Sequence, residues 1–496
     1  MKKQTETIYA AAVVGLALAL RLYQLGTESL WGDEGCSLRD AAHLYVTHGY
    51  RPVYYLLLRG WMELGLGNSE FILRLPAVLF GVTGVWVLYA LGHRVVGSPA
   101  ALLASVFMAI SVLQINHSQE VRMYSLVALT SLVTTYYLML WRDSGRPRYA
   151  IAYVLSALIL LLTFPLTVLV LAAHGLYMLL YVKAYRPRSL FFLGSQLVVA
   201  AVWLPWLLNN MHMSKSFSEG YIASLDKPTL FSTIGFLGDF FLWKCTNPAR
   251  ICVAGAFGFS LGVILVALYG LKGFHRSDAD VSLIWLWLVI PVAGTIVLCY
   301  KVTNVWMVRY LIAASPAFYL LVSRGILSLR NRYVIAVVLL AVIGLTSVRL
   351  GFYYTKPSRP QWRQGVEYVQ THEQPGDVIG LYSPGNKLIF SYYYHGKSRW
   401  SPLGAHFESE EQFGKWDEAR VRELFADFPP SGKRYWLMLS KHQFRGGFSI
   451  IKYVEKHYRI LDYQRYYDLE LYLFNVGKEG SNHGFAYQPS ATDIGI

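Results

Sequence analysis

Residues 8–34 read IYAAAVVGLALALRLYQLGTESLWGDE. The first eighteen form an apolar run of nearly the length that crosses a bilayer as a helix, about 20 residues. Lys2 and Lys3 precede the run, but it is long and lacks a small-residue cleavage site. It is therefore expected as a retained first helix rather than a signal peptide. Six residues beyond its end begins Trp31-Gly32-Asp33-Glu34, which carries an acidic pair, Asp33-Glu34. Carboxylates at the mouth of a membrane bundle are costly unless solvated, paired or engaged in chemistry.

The rest of the chain repeats the apolar theme. Of 496 residues 54% are hydrophobic and only 15% are charged, with a mean hydropathy of +0.35. A soluble chain of this size carries roughly a quarter charged residues. Helices are expected near 8–25, 72–93, 98–115, 121–141, 149–164, 166–182, 189–208, 251–271, 282–300, 309–325 and 333–352. Asp239 and Lys244 make 229–245 read as a surface or re-entrant segment. The basic residues orient the bundle. Arg94, then Arg142, Arg146 and Arg148, then Lys183, Arg186 and Arg188, then Lys272 and Arg276, then Arg324, Arg330 and Arg332 fall on one side. With the N-terminus cytoplasmic, eleven crossings put the C-terminus outside. The expected location is a bacterial inner (plasma) membrane.

The net charge of +15 is on this reading largely topological. The basic residues flank apolar runs and form no continuous stripe, so nucleic-acid binding is a poor reading. Cys36, Cys245, Cys252 and Cys299 read as isolated thiols. A disulfide among them stays open, and their spacing fits no metal knot. After about residue 353 the composition changes. Strand-like runs at 377–382 and 434–440, a hairpin through 458–475, and helix-like stretches at 361–372 and 408–425 predict a small α/β domain. The expected organisation is a membrane domain over 1–352, with an outer loop at 26–70, and a soluble extracytoplasmic domain over 353–496.

Polar residues gather in the outer loops. The first carries Asp33 and Glu34, a helical stretch at 37–48, and then Arg51-Pro52-Val53-Tyr54-Tyr55. Such an aromatic-rich loop is expected to lie along the interface. The plain structural alternatives are a helix N-cap for Asp33 and headgroup snorkelling for Arg51. The second loop reads Asn116-His117-Ser118-Gln119-Glu120-Val121-Arg122-Met123-Tyr124. A helix beginning near Ser118 would put Glu120 and Tyr124 on one face; an interfacial Glu–Arg pair is the structural alternative. A late segment interleaves Tyr300, Trp306 and Tyr310 with Lys301 and Arg309. Aromatic belts and snorkelling account for such a pattern. Yet Arg309 opens a hydrophobic helix, where a cation seeks an anionic partner. It is expected to face the same cavity as Asp33 and Arg51.

Taken in order, these pieces resemble the GT-C superfamily of polyprenyl-phosphate-sugar-dependent glycosyltransferases, in the branch of the protein O-mannosyltransferases and the lipid A aminoarabinose transferase. The matching pieces are Arg21-Leu22; Trp31-Gly32-Asp33-Glu34; Pro52-Val53-Tyr54-Tyr55-Leu56-Leu57; Arg74-Leu75-Pro76; and Ser118 to Tyr124. Later, Arg309-Tyr310 with Pro316, and Trp362-Arg363 with Pro375-Gly376-Asp377, extend the order along the chain. The resemblance implies a GT-C-like polytopic α-helical fold and a sugar donor on a polyprenyl phosphate. The acceptor hydroxyl would come from a lipid, glycan or protein at the extracytoplasmic face. It implies Asp33 as the catalytic base of an inverting transfer, with Glu34 beside it. Arg51, Arg122 and Arg309 would bind the donor phosphate. Tyr54, Tyr55, His117, Glu120, Tyr124 and Tyr310 would support the site or the acceptor. Related sequences often carry His, or an acid followed by Lys, before the proline where Tyr50-Arg51 stands here. That keeps a cation but removes a metal ligand. His48, His117 and Glu120 are then the residues available to a divalent metal, whose involvement stays open.

Two other classes share this composition. A transporter or flippase of lipid-linked sugars would match the hydrophobicity, but commonly shows internal repeats and midplane polar residues. Here the charges gather at one face and no repeat is evident. A non-catalytic membrane scaffold is the third class.

Overall fold

The computed structural model describes residues 2–44, 51–217, 227–243, 250–269, 279–382, 384–403, 421, 434–440 and 447–475. The chain forms two compact units. Unit 1 is Met1–Leu25 with Asp40–Thr355; unit 2 is Gly26–Arg39 with Lys356–Ile496. The composition break near 353 thus falls beside a unit boundary. The acidic stretch Gly26–Arg39, expected with the membrane domain's outer loop, is part of unit 2.

Unit 1 is helical. Its elements are α1 (Lys2–Leu22), α3 (Pro52–Glu63), α4 (Glu70–Val95), α5 (Ser98–Ile110), α6 (Val112–Ser118), α7 (Tyr124–Ser144), α8 (Pro147–Thr163), α9 (Val168–Leu180), α10 (Arg186–Phe217), α11 (Leu230–Leu242), α12 (Arg250–Tyr269), α13 (Ala279–Lys301), α14 (Ser315–Ser328) and α15 (Arg332–Thr355). The helix α2 (Gly32–Ala42) begins in unit 2. Helices occupy all eleven predicted positions. Among the described residues seven are long and apolar enough to cross a membrane, and α5 with α6 make an eighth if counted as one bent span. The α8 and α9 segments are shorter. Helix α11 occupies most of the ambiguous 229–245 stretch, of which 244 and 245 lie outside the described residues; its 13 residues are too few to span about 30 Å of hydrocarbon at 1.5 Å per residue. It packs against α12 and α6.

Two expectations need correction. The run at 98–115 is not one helix: α5 and α6 meet at a 57° bend. Ser111 makes the break. Its backbone leaves helical geometry at φ −56°, ψ 123°, and its hydroxyl accepts from Gln114 N to start α6. Nor does a helix run through Glu120: α6 ends at Ser118, and α7 starts only at Tyr124. Glu120 and Tyr124 therefore do not share a helix face.

The break exposes carbonyls at the end of α5, which a helix terminus must satisfy. Arg21, fully buried, does so. Its guanidinium donates to Met108 O at 3.2 Å, Ala109 O at 3.1 Å, Ala17 O at 3.2 Å and Ser118 Oγ at 3.1 Å. A cation is favoured at this negative end of the helix dipole. Gly81 makes the room, since a Cβ there would lie 2.9 Å from Arg21 Nε and 2.2 Å from Ser118 Oγ. Arg21→Leu is expected to leave carbonyls orphaned in apolar surroundings, each costing about 1–3 kcal/mol. It should lower the thermal midpoint of the detergent-purified protein by at least about 5 °C; an unchanged midpoint would remove Arg21 from the bundle's support.

The carbonyls near the end of α1 are strapped as well. Gln119 Nε2 donates to Arg21 O at 2.9 Å and Tyr23 O at 2.8 Å, Arg74 donates to Leu25 O at 3.0 Å, and the Tyr354 hydroxyl donates to Leu20 O. Tyr353 in turn holds Gln119 Oε1 at 2.8 Å. At the other end of α7, Arg142 is ion-paired with Asp143 and Asp280 and donates to the Tyr177 hydroxyl at 2.7 Å.

Unit 2 carries a five-stranded mixed sheet in the order β2-β1-β3-β5-β4. Its strands are β1 (Val378–Tyr382), β2 (Arg399–Pro402), β3 (Arg434–Ser440), β4 (Arg459–Tyr466) and β5 (Leu469–Asn475). Both β2 and β3 run parallel to β1, with Val378 opposite Arg399 and Tyr435. The predicted hairpin is β4–β5, antiparallel, turning at Asp468 with φ +55°. Helices α16 (Trp362–His372), α17 (Lys387–Tyr393) and α18 (Gly447–His457) accompany the sheet. The sequence reading missed β2, α17 and α18. Its stretch 408–425 lies outside the described residues except at Val421.

Candidate functional site

In unit 1, local breaks in helix geometry bring together residues distant in sequence. Pro165 follows Phe164, and the residue before a proline is pushed to extended backbone. Phe164 indeed has φ −154°, ψ 110°, ending α8. Pro316 lies at the start of α14, and Arg309 and Tyr310 sit in the short 3-10 turn Val308–Ala314 before it. Pro52 begins α3 and leaves Arg51 at its N-cap. The turn between α6 and α7 carries Glu120 and Arg122.

These four junctions build one cluster of rings and cations. Tyr124, fully buried, lies 6.2 Å from Phe164 and 6.5 Å from Tyr310 between ring centroids, and Phe164 lies 5.3 Å from Tyr310. Three guanidinium groups face these rings. Arg51 sits 5.6 Å from the Phe164 centroid and Arg122 sits 6.0 Å from that of Tyr124. Arg309 sits 5.8 Å from Tyr124 and 5.6 Å from Tyr310. Ring faces attract cations at such range. The buried Tyr124 hydroxyl has no hydrogen-bond partner among the described residues. Arg309 thus lies on the same ring cluster as Arg51. Asp33, expected to share their cavity, belongs to unit 2.

Beside the cluster lies a buried polar group. Glu120 accepts from Asn116 Nδ2 at 3.0 Å and faces His117 Nδ1 at 2.9 Å. The His117 ring packs against Tyr124 at 4.7 Å and Trp243 at 4.8 Å. Tyr54 and Tyr55 are both buried and meet edge to face at 5.8 Å. Of the residues offered for a metal, His117 and Glu120 pair with each other and His48 lies outside the described residues. Among the described residues no group of three His, Cys, Asp or Glu gathers.

In unit 2, α2 opens at the acidic motif. Trp31 O accepts from Glu34 N at 2.9 Å and Gly35 N at 3.0 Å, while Trp31 N donates back to Glu34 Oε2 at 3.3 Å. That last bond is the reciprocal half of a capping box. Glu34, rather than Asp33, therefore makes this backbone cap. It is fully buried and ion-paired to Arg359 at 3.5 Å. Asp33 is half-buried, and its carbonyl accepts the Ser37 hydroxyl at 3.2 Å. Cys36 and Cys299 are free thiols. Sequence reasoning missed Phe164, Trp243 and Arg359. Pro165 signalled the turn at Phe164; nothing in the sequence marked the other two.

Fold and local geometry define the class: a polytopic helical integral membrane protein of the GT-C fold with a small sheet-containing C-terminal domain. More particularly, residues 48–208 match the family model of dolichyl-phosphate-mannose-protein mannosyltransferase. The crystal structure of ArnT from Cupriavidus metallidurans bound to undecaprenyl phosphate is similar with a TM-score of 0.61 at 14% identity, covering 94% of this chain and 98% of that one. Its apo state gives 0.59 at 14% identity, with the same coverage. The oligosaccharyltransferase AglB from Archaeoglobus fulgidus, in complex with an inhibitory peptide and a dolichol-phosphate, gives 0.55 at 13% identity, covering 95% and 74%. No curated protein sequence matches. The GT-C resemblance read from the ordered motifs stands in both the family match and the solved structures.

Proposed function

We propose that this protein is a membrane glycosyltransferase. It moves a sugar from a polyprenyl-phosphate donor to an acceptor hydroxyl at the extracytoplasmic face, with inversion. The observation that carries this reading is the convergence of Arg51, Arg122 and Arg309 on the Tyr124, Phe164 and Tyr310 rings. Three guanidinium groups gathered on one set of rings concentrate positive charge and fork-shaped donors, which suits an anionic phosphate. The likeness to ArnT bound to undecaprenyl phosphate and AglB in complex with a dolichol-phosphate supports a lipid phosphate as that anion.

The chemistry follows from the charges. The acceptor oxygen attacks the anomeric carbon as the bond from that carbon to the phosphate oxygen breaks. Polyprenyl phosphate leaves with the electron pair, and the arginines stabilise the charge it gains. The acceptor proton goes to Asp33, the family-matching acid, and from there to solvent. Glu34 and Glu120 orient neighbouring groups through the contacts described.

Purified protein incubated with a panel of polyprenyl-phosphate sugars and candidate acceptors tests the reading. Mass spectrometry is expected to find released polyprenyl phosphate and a glycosylated acceptor for at least one donor. Movement of intact donor across proteoliposomes without cleavage would favour a flippase instead. Orientation is tested separately. A single cysteine at Lys397 in a cysteine-free background should react with a membrane-impermeant maleimide from the outside of intact cells, and labelling only after lysis would reverse the assignment.

A further inference from the structure

The chemistry assigned to Asp33 needs its helix held at a fixed place, and the first residues after α1 are loop. Unit 2 supplies an unusual density of contacts to them. The Ser358 backbone N and hydroxyl donate to the two Glu28 carboxylate oxygens at 2.6 and 2.8 Å. Ser29 Oγ accepts from Arg363 N at 3.1 Å and donates to Gln364 Oε1 at 3.1 Å. Arg363 also donates through its guanidinium to Gly26 O and Thr27 O. Leu30 N donates to the Tyr393 hydroxyl at 2.7 Å. Gly35 lies against Ile389 so closely that a Cβ there would sit 2.6 Å from its Cδ1.

Arg359 is the member of this set that reaches the acidic motif. It is 6% exposed and forks between two acids, with Nε 3.6 Å from Glu28 Oε2 and Nη1 3.5 Å from Glu34 Oε2. The same Glu34 oxygen receives Trp31 N at the start of α2. A guanidinium fork fixes direction as well as charge. Arg359 thereby ties the first turn of α2, where Asp33 stands, to the chain that opens α16.

We propose that Arg359 is a positioning residue for Asp33, acting through Glu34. The C-terminal unit on this account holds the base rather than serving as an appendage. The proposal rests on Asp33 being the base, so the test separates the two. In full-length protein in nanodiscs, Arg359→Gln is read by hydrogen exchange and by turnover of whichever polyprenyl-phosphate sugar is active in the panel. Amides of Gly26–Arg39 are expected to exchange at least about tenfold faster, while those of β3 stay protected. Turnover should fall about 10²-fold, the scale of a misplacement near 1 Å, with the donor KM within twofold.

Unchanged exchange in Gly26–Arg39 overturns the proposal whatever the turnover does. Faster exchange with normal turnover also overturns it. Asp33→Asn then shows whether the base assignment fell with it, because a variant that keeps turnover removes Asp33 from the chemistry. Arg359→Gln leaves buried Glu34 without its ion pair and can unfold unit 2. Should β3 lose protection too, Glu28→Gln carries the test, since it loosens the fork at its more exposed end. Exchange is then expected to quicken several-fold with a matching loss of turnover, and no change in either overturns the proposal. Arg359→Lys should recover part of the loss.

Discussion

Asp33→Asn is expected to lower turnover by at least about 10²-fold, within the 10²–10⁴-fold range typical of a lost general base. The amide keeps the size of the side chain and cannot take the acceptor proton. Donor affinity should be nearly unchanged, so the loss should appear in kcat rather than KM. The contacts of the motif make the test specific. Glu34, not Asp33, accepts the backbone N–H at the start of α2 and pairs with Arg359. Replacing Asp33 therefore leaves that cap in place, and the variant should express and melt like the wild type. Wild-type turnover from a folded Asp33→Asn protein would refute the mechanism.

Arg309→Ala is expected to weaken donor binding by about 10–100-fold, since a hydrogen bond to a charged group contributes about 1.5–3 kcal/mol. Arg51→Ala and Arg122→Ala should fall in the same range. The comparison that matters is with Arg59→Ala and Arg39→Ala. Arg59 is exposed and paired with Glu63 at 2.7 Å on its own helix, an arrangement whose loss has little effect. Arg39 belongs to unit 2. Binding of a fluorescent polyprenyl phosphate to the five variants in nanodiscs should divide them three against two. Equal affinities across all five would return Arg51 and Arg309 to the role of headgroup anchors.

Much of the fold could be read because membrane helices announce themselves by run length. Each of the eleven predicted runs is occupied by helix, and the strands at 378–382, 434–440 and 459–475 were marked by β-branched and aromatic residues between turns. The misreadings share a cause. Run length says nothing about a break inside an apolar stretch, so 98–115 reads as one helix. The signal was present in Ser111-Val112-Leu113-Gln114, a serine three residues before a glutamine, which is a helix-start pattern. Apolar neighbours hid it.

Site residues divided in a similar way. Charged and aromatic residues placed at run ends, such as Arg51, Arg122 and Arg309, stood out from their background. Phe164 did not, because one more phenylalanine in an apolar run carries no signal unless Pro165 is weighed with it. The roles within Asp33-Glu34 were beyond the sequence too. Two adjacent acids look alike until the partner of each is known, and Arg359 lies 325 residues from Glu34.

The buried anchorage of Arg21 has a consequence for how the chain is made. Its guanidinium is completed by Ala109 O, 88 residues further along. A ribosome adding about 5–20 residues per second needs roughly 4–18 s to deliver that partner. Until then α1 holds a cation close to its C-terminal end with only Ala17 O from its own helix, and the long side chain can reach toward headgroups and water. The first helix therefore enters the bilayer in a provisional state. It becomes a settled part of the bundle only when the α5–α6 break has been synthesised and has closed around it, so the order of synthesis gives the bundle a built-in assembly checkpoint.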